Sequence, residues 1–475
     1  MQEHVSLVYD IVHPPQAERD ALYFWRQMAL VATPESAPPR IPVPAALRPA
    51  LSLFEAASEG SVNGGPSVPS AGALYPYEHF AIVGGPDDPA VFAVDVARRT
   101  CRLLYDREQV AQALERGGIA LPGPDAYLIL TVVRPWLSMR KYDDRGYLYA
   151  QLDAAHLGAH LLCLGSRSHH RAEWLTRAAT APLAELFGLG DRCRFLHSVL
   201  LLDGPAHART PSPSTQAWSC TDERHMSPGA PPGDLPEGQS WRRLAVYRQE
   251  PPVRSAAVRR GALMPGSRDE PDRRCRPGGA ELAARAVRRR SAKEFAAGDL
   301  PARALQDALT ALATPLTTDL PPSDGFGATL VARRVVGLIP GTYPVLGGEI
   351  AAEPTGTAVA DDDDIVRMCM GQEHLRHTCA AVVFHARHQE IFGLGMAGVE
   401  QALLRAGALA HLLCLSATDT GIAITTIGGF DAGRWHALAG IPGENEVLYV
   451  ALLGVTGASA VKLDRLQRAY AHDER

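Results

Sequence analysis

Four short stretches of this 475-residue chain gather side chains that can do chemistry. Arg140–Tyr147 reads RKYDDRGY and sets Lys141 beside Tyr142. A phenol titrates near pH 10 and is a poor base. A neighbouring ammonium favours the phenolate, so the pair could take a proton in a dry pocket. The same residues fit an exposed, charged helix start, since Asp143, Asp144 and Arg145 follow. Arg288–Phe295 reads RRRSAKEF. Arg288, Arg290 and Ser291 near a helix start offer guanidinium forks, a hydroxyl and free N–H groups, the donors that a phosphate monoester needs. A solvated basic turn would read alike in this arginine-rich stretch. Pro69–Pro76 reads PSAGALYP, where Pro69, Ser70, Ala71 and Gly72 would let backbone approach a planar ring closely. It is equally a surface turn before a strand. In TTIGGF, Thr425–Phe430, the backbone of Ile427, Gly428 and Gly429 could face a ring edge or form a tight turn.

The elements that must hold these residues occur twice. HLLCL appears at His160–Leu164 and at His411–Leu415, an offset of 251 (411 minus 160). Each copy lies in a long apolar pattern of helical period, LDAAHLGAHLLCL and LLRAGALAHLLCL. LAELFGLG, ending at Gly190, echoes WHALAGIPG, ending at Gly443, with Gly188 matching Gly440, and each is followed by a β-branched and aliphatic run, FLHSVLLLDG and VLYVALLGVTG. VPSAG at Val68–Gly72 faces PPSDG at Pro321–Gly325. Three matches in order at a nearly constant offset indicate a duplication. Between the copies Pro, Gly and Ser dominate and periodicity fades, except near SWRRLAVY. The expected organisation is a first domain over 1–204, a linker over 205–279 and a second domain over 280–475. HFAIVGG, YLILTVV, ARRVVGLI and AAVVFHA read as strands. Helices and strands mix without a strict βαβ rhythm, so the fold class is α+β.

Through these motifs the chain resembles the nitroreductase-like flavoproteins, and in particular the SagB-type dehydrogenases that aromatise azoline rings. RRRSAKEF resembles the family's opening motif, PSAGALYP that of the SagB-type branch, RKYDDRGY its Lys-Tyr motif and TTIGGF the segment beside the flavin ring. The resemblance covers both domains but not the linker. It implies Lys141 and Tyr142 as the catalytic pair. It also implies FMN held by Arg288, Arg290, Ser291, Pro69, Ser70, Ala71, Gly72, Ile427, Gly428 and Gly429. The two copies have lost complementary parts. Opposite RRRS the first domain has Ala37–Arg40, and opposite TTIGGF it has Trp174–Ala179. The second domain has PSDGFGAT opposite PSAGALYP, and Phe392–Gly393 opposite Lys-Tyr. Family members are typically intertwined homodimers, so a fused pair would be an intrachain pseudo-dimer keeping one FMN site of two.

The implied activity is oxidation of thiazoline or oxazoline to thiazole or oxazole in a ribosomally made peptide. The implied partners are that azoline-bearing peptide and a cyclodehydratase or leader-binding protein. Rival readings are nitro or enone reduction, oxidation of a cyclic dipeptide, or a flavin-free subunit that presents peptide to another enzyme.

Composition narrows the field. Hydrophobic residues make up 46% and charged residues 21%, with a formal net charge of -5, so a nucleic-acid binder's basic footprint is missing. No apolar run reaches membrane-spanning length, and the opening MQEHVSLVYDIVHPP has no cationic patch leading into an apolar stretch. A cytoplasmic protein with reduced thiols is expected, since the eight cysteines form no CxxC or zinc spacing. No metal is expected: Asp361–Asp364 reads as a solvated loop. His160 and His411 read as packed, His169 and His170 as a polar loop, and Met368, Met370 and Met396 as packing residues.

Overall fold

The computed structural model describes residues 41–58, 67–84, 89–96, 99–104, 107–119, 121, 123, 125–176, 181–186, 195–205, 258–264, 277–321, 323–357 and 360–457. Two largely antiparallel sheets flank a pair of long helices, Arg145–Ser168 and Met396–Ala417. These central helices are the two HLLCL patterns. Each is buried along most of its length, so their apolar residues are not confined to one stripe.

Within the nine-stranded first sheet, Ala90–Asp95, Tyr77–Val83, Tyr127–Val133, Phe195–Pro205 and His169–Leu175 follow in that order, each antiparallel to the next. The second runs Gly341–Leu346, Phe326–Ala332, Ala380–Arg387, Asn445–Thr456, Ala423–Ile427 in the same arrangement. Even the irregularities repeat. Register shifts once between Thr131 and Val132, and once between Phe384 and His385, an offset of 253 (384 minus 131). The α+β class and the fused, pseudo-dimeric arrangement follow directly.

Strand alternation decides the layers. Ala81 and Val83 point into a core shared with both central helices, whereas Phe80 and Ile82 point to an outer core. In the second sheet Val382 and Phe384 face inward, and Ala381 and Val383 face outward. The inner core is therefore continuous across both halves. The helices approach closely at Gly407, where a Cβ would lie 2.7 Å from the Ala155 methyl and 3.0 Å from the Leu152 carbonyl.

The segment just ahead of the second sheet also joins the first sheet. Pro315–Thr318, just ahead of the second sheet, pairs parallel to His169–Leu175 in the first. Arg259–Ala262 then pairs antiparallel to Pro315–Thr318. Thr318 donates its hydroxyl to the Trp174 carbonyl at 2.7 Å, and Asp319 accepts from the Thr176 amide at 2.7 Å.

Several expectations need correction. ARRVVGLI is not one strand: the ladder ends at Ala332 and only Val335–Val336 resumes. Arg333 at the break turns inward, donating to the Ala360 and Thr378 carbonyls and pairing with Asp362 at 2.8 Å. Asp361–Asp364 is a helix start with a capping box, not a solvated loop. His169 lies on a strand and meets the Tyr127 hydroxyl at 2.6 Å. Met370 is exposed at φ 58 and does not pack. SWRRLAVY and Ala37–Arg40 lie outside the described residues. No helix among those described is long and apolar enough to cross a membrane.

Candidate active site

The PSAGALYP segment is a strained turn held from below. Gly72, Ala73 and Tyr75 have φ of 61, 57 and 46, a region that costs a non-glycine residue about 1–2 kcal/mol. Asp153, on the first central helix, offsets that cost. The Ser70 hydroxyl donates to Asp153 Oδ2 at 2.5 Å, the Ala71 N–H donates to Oδ1 at 3.0 Å, and Ser70 Oγ accepts the Tyr75 N–H at 2.9 Å. Gly72 then abuts the Lys-Tyr pair. A Cβ there would collide with the Tyr142 hydroxyl and lie 2.9 Å from Lys141 Nζ.

Lys141 and Tyr142 end a short helix, Trp136–Tyr142, instead of starting the long one. Asp143, at φ 48, breaks the chain before the central helix begins at Arg145. That kink turns both side chains toward the turn. Lys141 Nζ lies 5.3 Å from the centre of the Tyr142 ring. Tyr142 in turn meets Tyr149 edge-on, ring centres 5.0 Å apart.

Tyr149 carries the site across to the second half. Its ring covers Gly428, where any Cβ would collide, and its hydroxyl lies 3.6 Å from the Cβ position of Gly429. Burial raises the Tyr149 pKa, and Arg145 opposes that. Arg145 also donates from both Nη atoms to the Phe430 carbonyl at 3.1 Å. Pro69–Gly72, Lys141–Tyr142 and Ile427–Gly429 thus gather at one place between the halves.

The arginine cluster divides differently from the sequence expectation. RRRSAKEF leads into a strand, Phe295–Ala296, and not into a helix. Arg288 is 62% exposed and pairs with Asp419 at 2.5 Å, and Arg290 is also exposed. The buried member is Arg289, which the sequence reading passed over. It is 4% exposed, donates from Nε to the Ser67 carbonyl and from Nη1 to Ser291 Oγ at 3.1 Å. Among the described residues no carboxylate pairs with it. Burial lowers its pKa, against the pull of Cys414, Tyr75 and Tyr77. A usable signal was in the sequence. Extended chain alternates its faces, so Arg289 and Ser291 share a side that Arg288 and Arg290 do not. A buried guanidinium beside a hydroxyl, without a carboxylate, is a fitting donor set for a phosphate.

Behind this wall runs a chain of buried histidines, all 0% exposed. The Ser67 hydroxyl donates to the Ala57 carbonyl at 3.0 Å, which leaves its oxygen to accept from His160 Nε2 at 3.1 Å. His160 Nδ1 then accepts from His411 Nε2 at 2.9 Å, and His411 Nδ1 from His156 Nδ1 at 3.2 Å. His156 Nε2 accepts from the Tyr449 hydroxyl at 3.1 Å. Each neutral imidazole supplies one donor and one acceptor, so the chain closes only with all three rings uncharged. Burial first and Arg289 second lower His156 and His160 to about 3; His411 is also held well below the ordinary value.

The pseudo-symmetric place in the other half is filled. Ser323, opposite Ser70, donates to Glu390 at 2.9 Å, and a Cβ on Gly325 would collide with Glu390. Arg405, 4% exposed, donates to the Leu263 and Pro321 carbonyls. Phe392 is exposed where the first half has its Lys-Tyr pair.

No protein-family model and no curated protein matches the chain. Solved structures do. A putative nitroreductase from Anabaena variabilis aligns over 91% of this chain and 95% of its own, with TM-score 0.62 and 16% identity. The fold is therefore nitroreductase-like over nearly the whole length. A putative nitroreductase from Ralstonia eutropha covers 43% of this chain and 94% of its own, at TM-score 0.29 and 16% identity. The E. coli microcin synthetase McbBCD complex with truncated pro-MccB17 bound covers 36% and 70%, at TM-score 0.29 and 16% identity.

Proposed function

We propose that this chain is an FMN-dependent oxidoreductase that converts thiazoline or oxazoline rings in a peptide to thiazole or oxazole. One observation carries the reading: Gly72, Lys141, Tyr142, Tyr149 and Gly428, from both halves, meet at one place. Arg289 and Ser291 would hold the FMN phosphate, with Arg288 and Arg290 as the outer cations of the sequence expectation. Pro69–Gly72 and Ile427–Gly429 would flank the ring. Bound FMN would supply a two-electron acceptor. Tyr142 would remove the ring proton at the former α-carbon, and the adjacent carbon would give up its hydride. Lys141 would stabilise the phenolate. Arg145 and Tyr149 would bridge the halves and keep water out, and dioxygen would serve as final acceptor.

The test is incubation of the purified, FMN-loaded protein with an azoline-bearing peptide. A mass loss of two hydrogens per ring supports the proposal. Yellow protein that leaves azolines intact but reduces nitro or enone compounds would favour another flavin chemistry. Protein that binds no flavin but retains the peptide would favour a presenting subunit.

A further inference from the structure

Asp153 is 3% exposed, and among the described residues no cation pairs with it. It lies outside all four motifs, yet its carboxylate takes two donors from the PSAGALYP turn. We propose that Asp153 is the positioning residue of that turn. By accepting the Ser70 hydroxyl and the Ala71 amide, it sets how closely Gly72 approaches Lys141 and Tyr142, and gain of a proton loosens the arrangement.

An ionised carboxylate only accepts, and both donors here point at it. A protonated carboxyl must donate through one oxygen. The Ser70 hydroxyl would then have to turn, although its oxygen already accepts the Tyr75 amide at 2.9 Å. Strain makes the turn sensitive to that change. Ala73 and Tyr75 keep positive φ only while surrounding contacts impose it. The effect reaches the reacting pair by direct contact, because Gly72, within the turn, lies against the Tyr142 hydroxyl and Lys141 Nζ.

The surroundings place the proton exchange in a working range. Burial pushes Asp153 up to about 7, while Ser70 and Ala71 act to lower it. The titratable groups facing it are Tyr77 from its strand and Tyr449 from the second half; each feels its charge. His156 lies on the same helix and stays neutral. Arg289 is the buried cation beside Tyr77 and bonds elsewhere.

This inference rests on the proposed reading for its catalytic consequence, so the experiment has two arms. The first needs neither flavin nor substrate. Amide hydrogen-exchange protection at Ala71 and Tyr75 is measured in wild type, Asp153→Asn and Ser70→Ala at pH about 6 and about 8. Loss of a charge-assisted hydrogen bond corresponds to about a ten- to hundredfold loss of protection. The expected result is that wild type loses protection between the higher and the lower pH. Asp153→Asn should be loose at both, and Ser70→Ala should lose Tyr75 protection. Equal, pH-independent protection in wild type and Asp153→Asn overturns the proposal. If Asp153→Asn does not fold, the wild-type pH dependence and Ser70→Ala decide. The second arm uses FMN-loaded enzyme and an azoline peptide. Asp153→Asn should lower kcat with KM little changed and remove the limb of the pH profile near neutrality; an unchanged profile counts against it. If the first arm succeeds and wild type shows no azoline oxidation, the turn's control stands and the functional reading falls.

Discussion

At the residue scale, Lys141 and Tyr142 stand out through the resemblance of RKYDDRGY, because their types and adjacency alone fit an exposed, charged helix start. Their surroundings were not legible. Asp153 and Tyr149 lie outside the motifs, and Arg145 is inside one but with no role assigned; the kink at Asp143 precedes the helix that carries all three. Tyr142→Phe keeps the ring and should fold normally, yet lower azoline oxidation by about 100- to 10,000-fold. Lys141→Ala should fail similarly, and the double variant should lose little more, because the pair acts as one unit. Near wild-type rates in both single variants would remove the assignment. Arg289 supports a second prediction. Arg289→Ala should purify colourless, since each charge-assisted phosphate contact is worth about 1.5–3 kcal/mol. Comparison with the Arg288→Ala/Arg290→Ala double variant apportions the cluster. If the double variant loses FMN and Arg289→Ala keeps it, the outer arginines hold the phosphate.

At the scale of elements, the central helices were readable because a repeated apolar period implies a repeated buried helix. Their histidines read only as packed, since hydrogen-bond partners from distant segments leave no local trace. The chain from Ser67 to Tyr449 makes the helix pair sensitive to acid. Unfolded histidine titrates near 6.5, whereas His156 and His160 must stay neutral down to about 3 in the native state. The unfolded state therefore binds more protons between those values. This contribution is whole above about pH 6.5 and declines as pH falls toward 3. Each of these two histidines should withdraw about 2 kcal/mol of stability by about pH 5. The melting temperature should drop over that interval, and His160→Gln should flatten the dependence. A melting temperature level from pH 7 to 5 would show that the rings accept protons without cost.

At the scale of the whole molecule, the duplication was visible in HLLCL and its flanking segments, and the nitroreductase-like fold bears out the α+β expectation. The crossing of Pro315–Thr318 into the first sheet was not visible, because that strand is too short for periodicity to assign it to either sheet. The asymmetry between halves supports a stoichiometric prediction. Glu390 and Arg405 fill the second position, and Thr318 and Asp319 bond to Trp174 and Thr176, part of the segment opposite TTIGGF. Flavin released by heat and quantified against protein should approach one per chain. A ratio near two would mean that the filled position still binds.

The borrowed strand also sets a clock on biosynthesis. Phe195–Pro205 completes the antiparallel part of the first sheet, but the outer edge of His169–Leu175 stays bare until Pro315–Thr318 is made. That gap is 110 residues (315 minus 205). At ordinary synthesis rates it lasts roughly 5 to 20 s. For that interval the nascent protein carries an unpaired strand edge of the kind that templates aggregation. Chains truncated within the gap should precipitate or be held by chaperones, while the full-length chain should not.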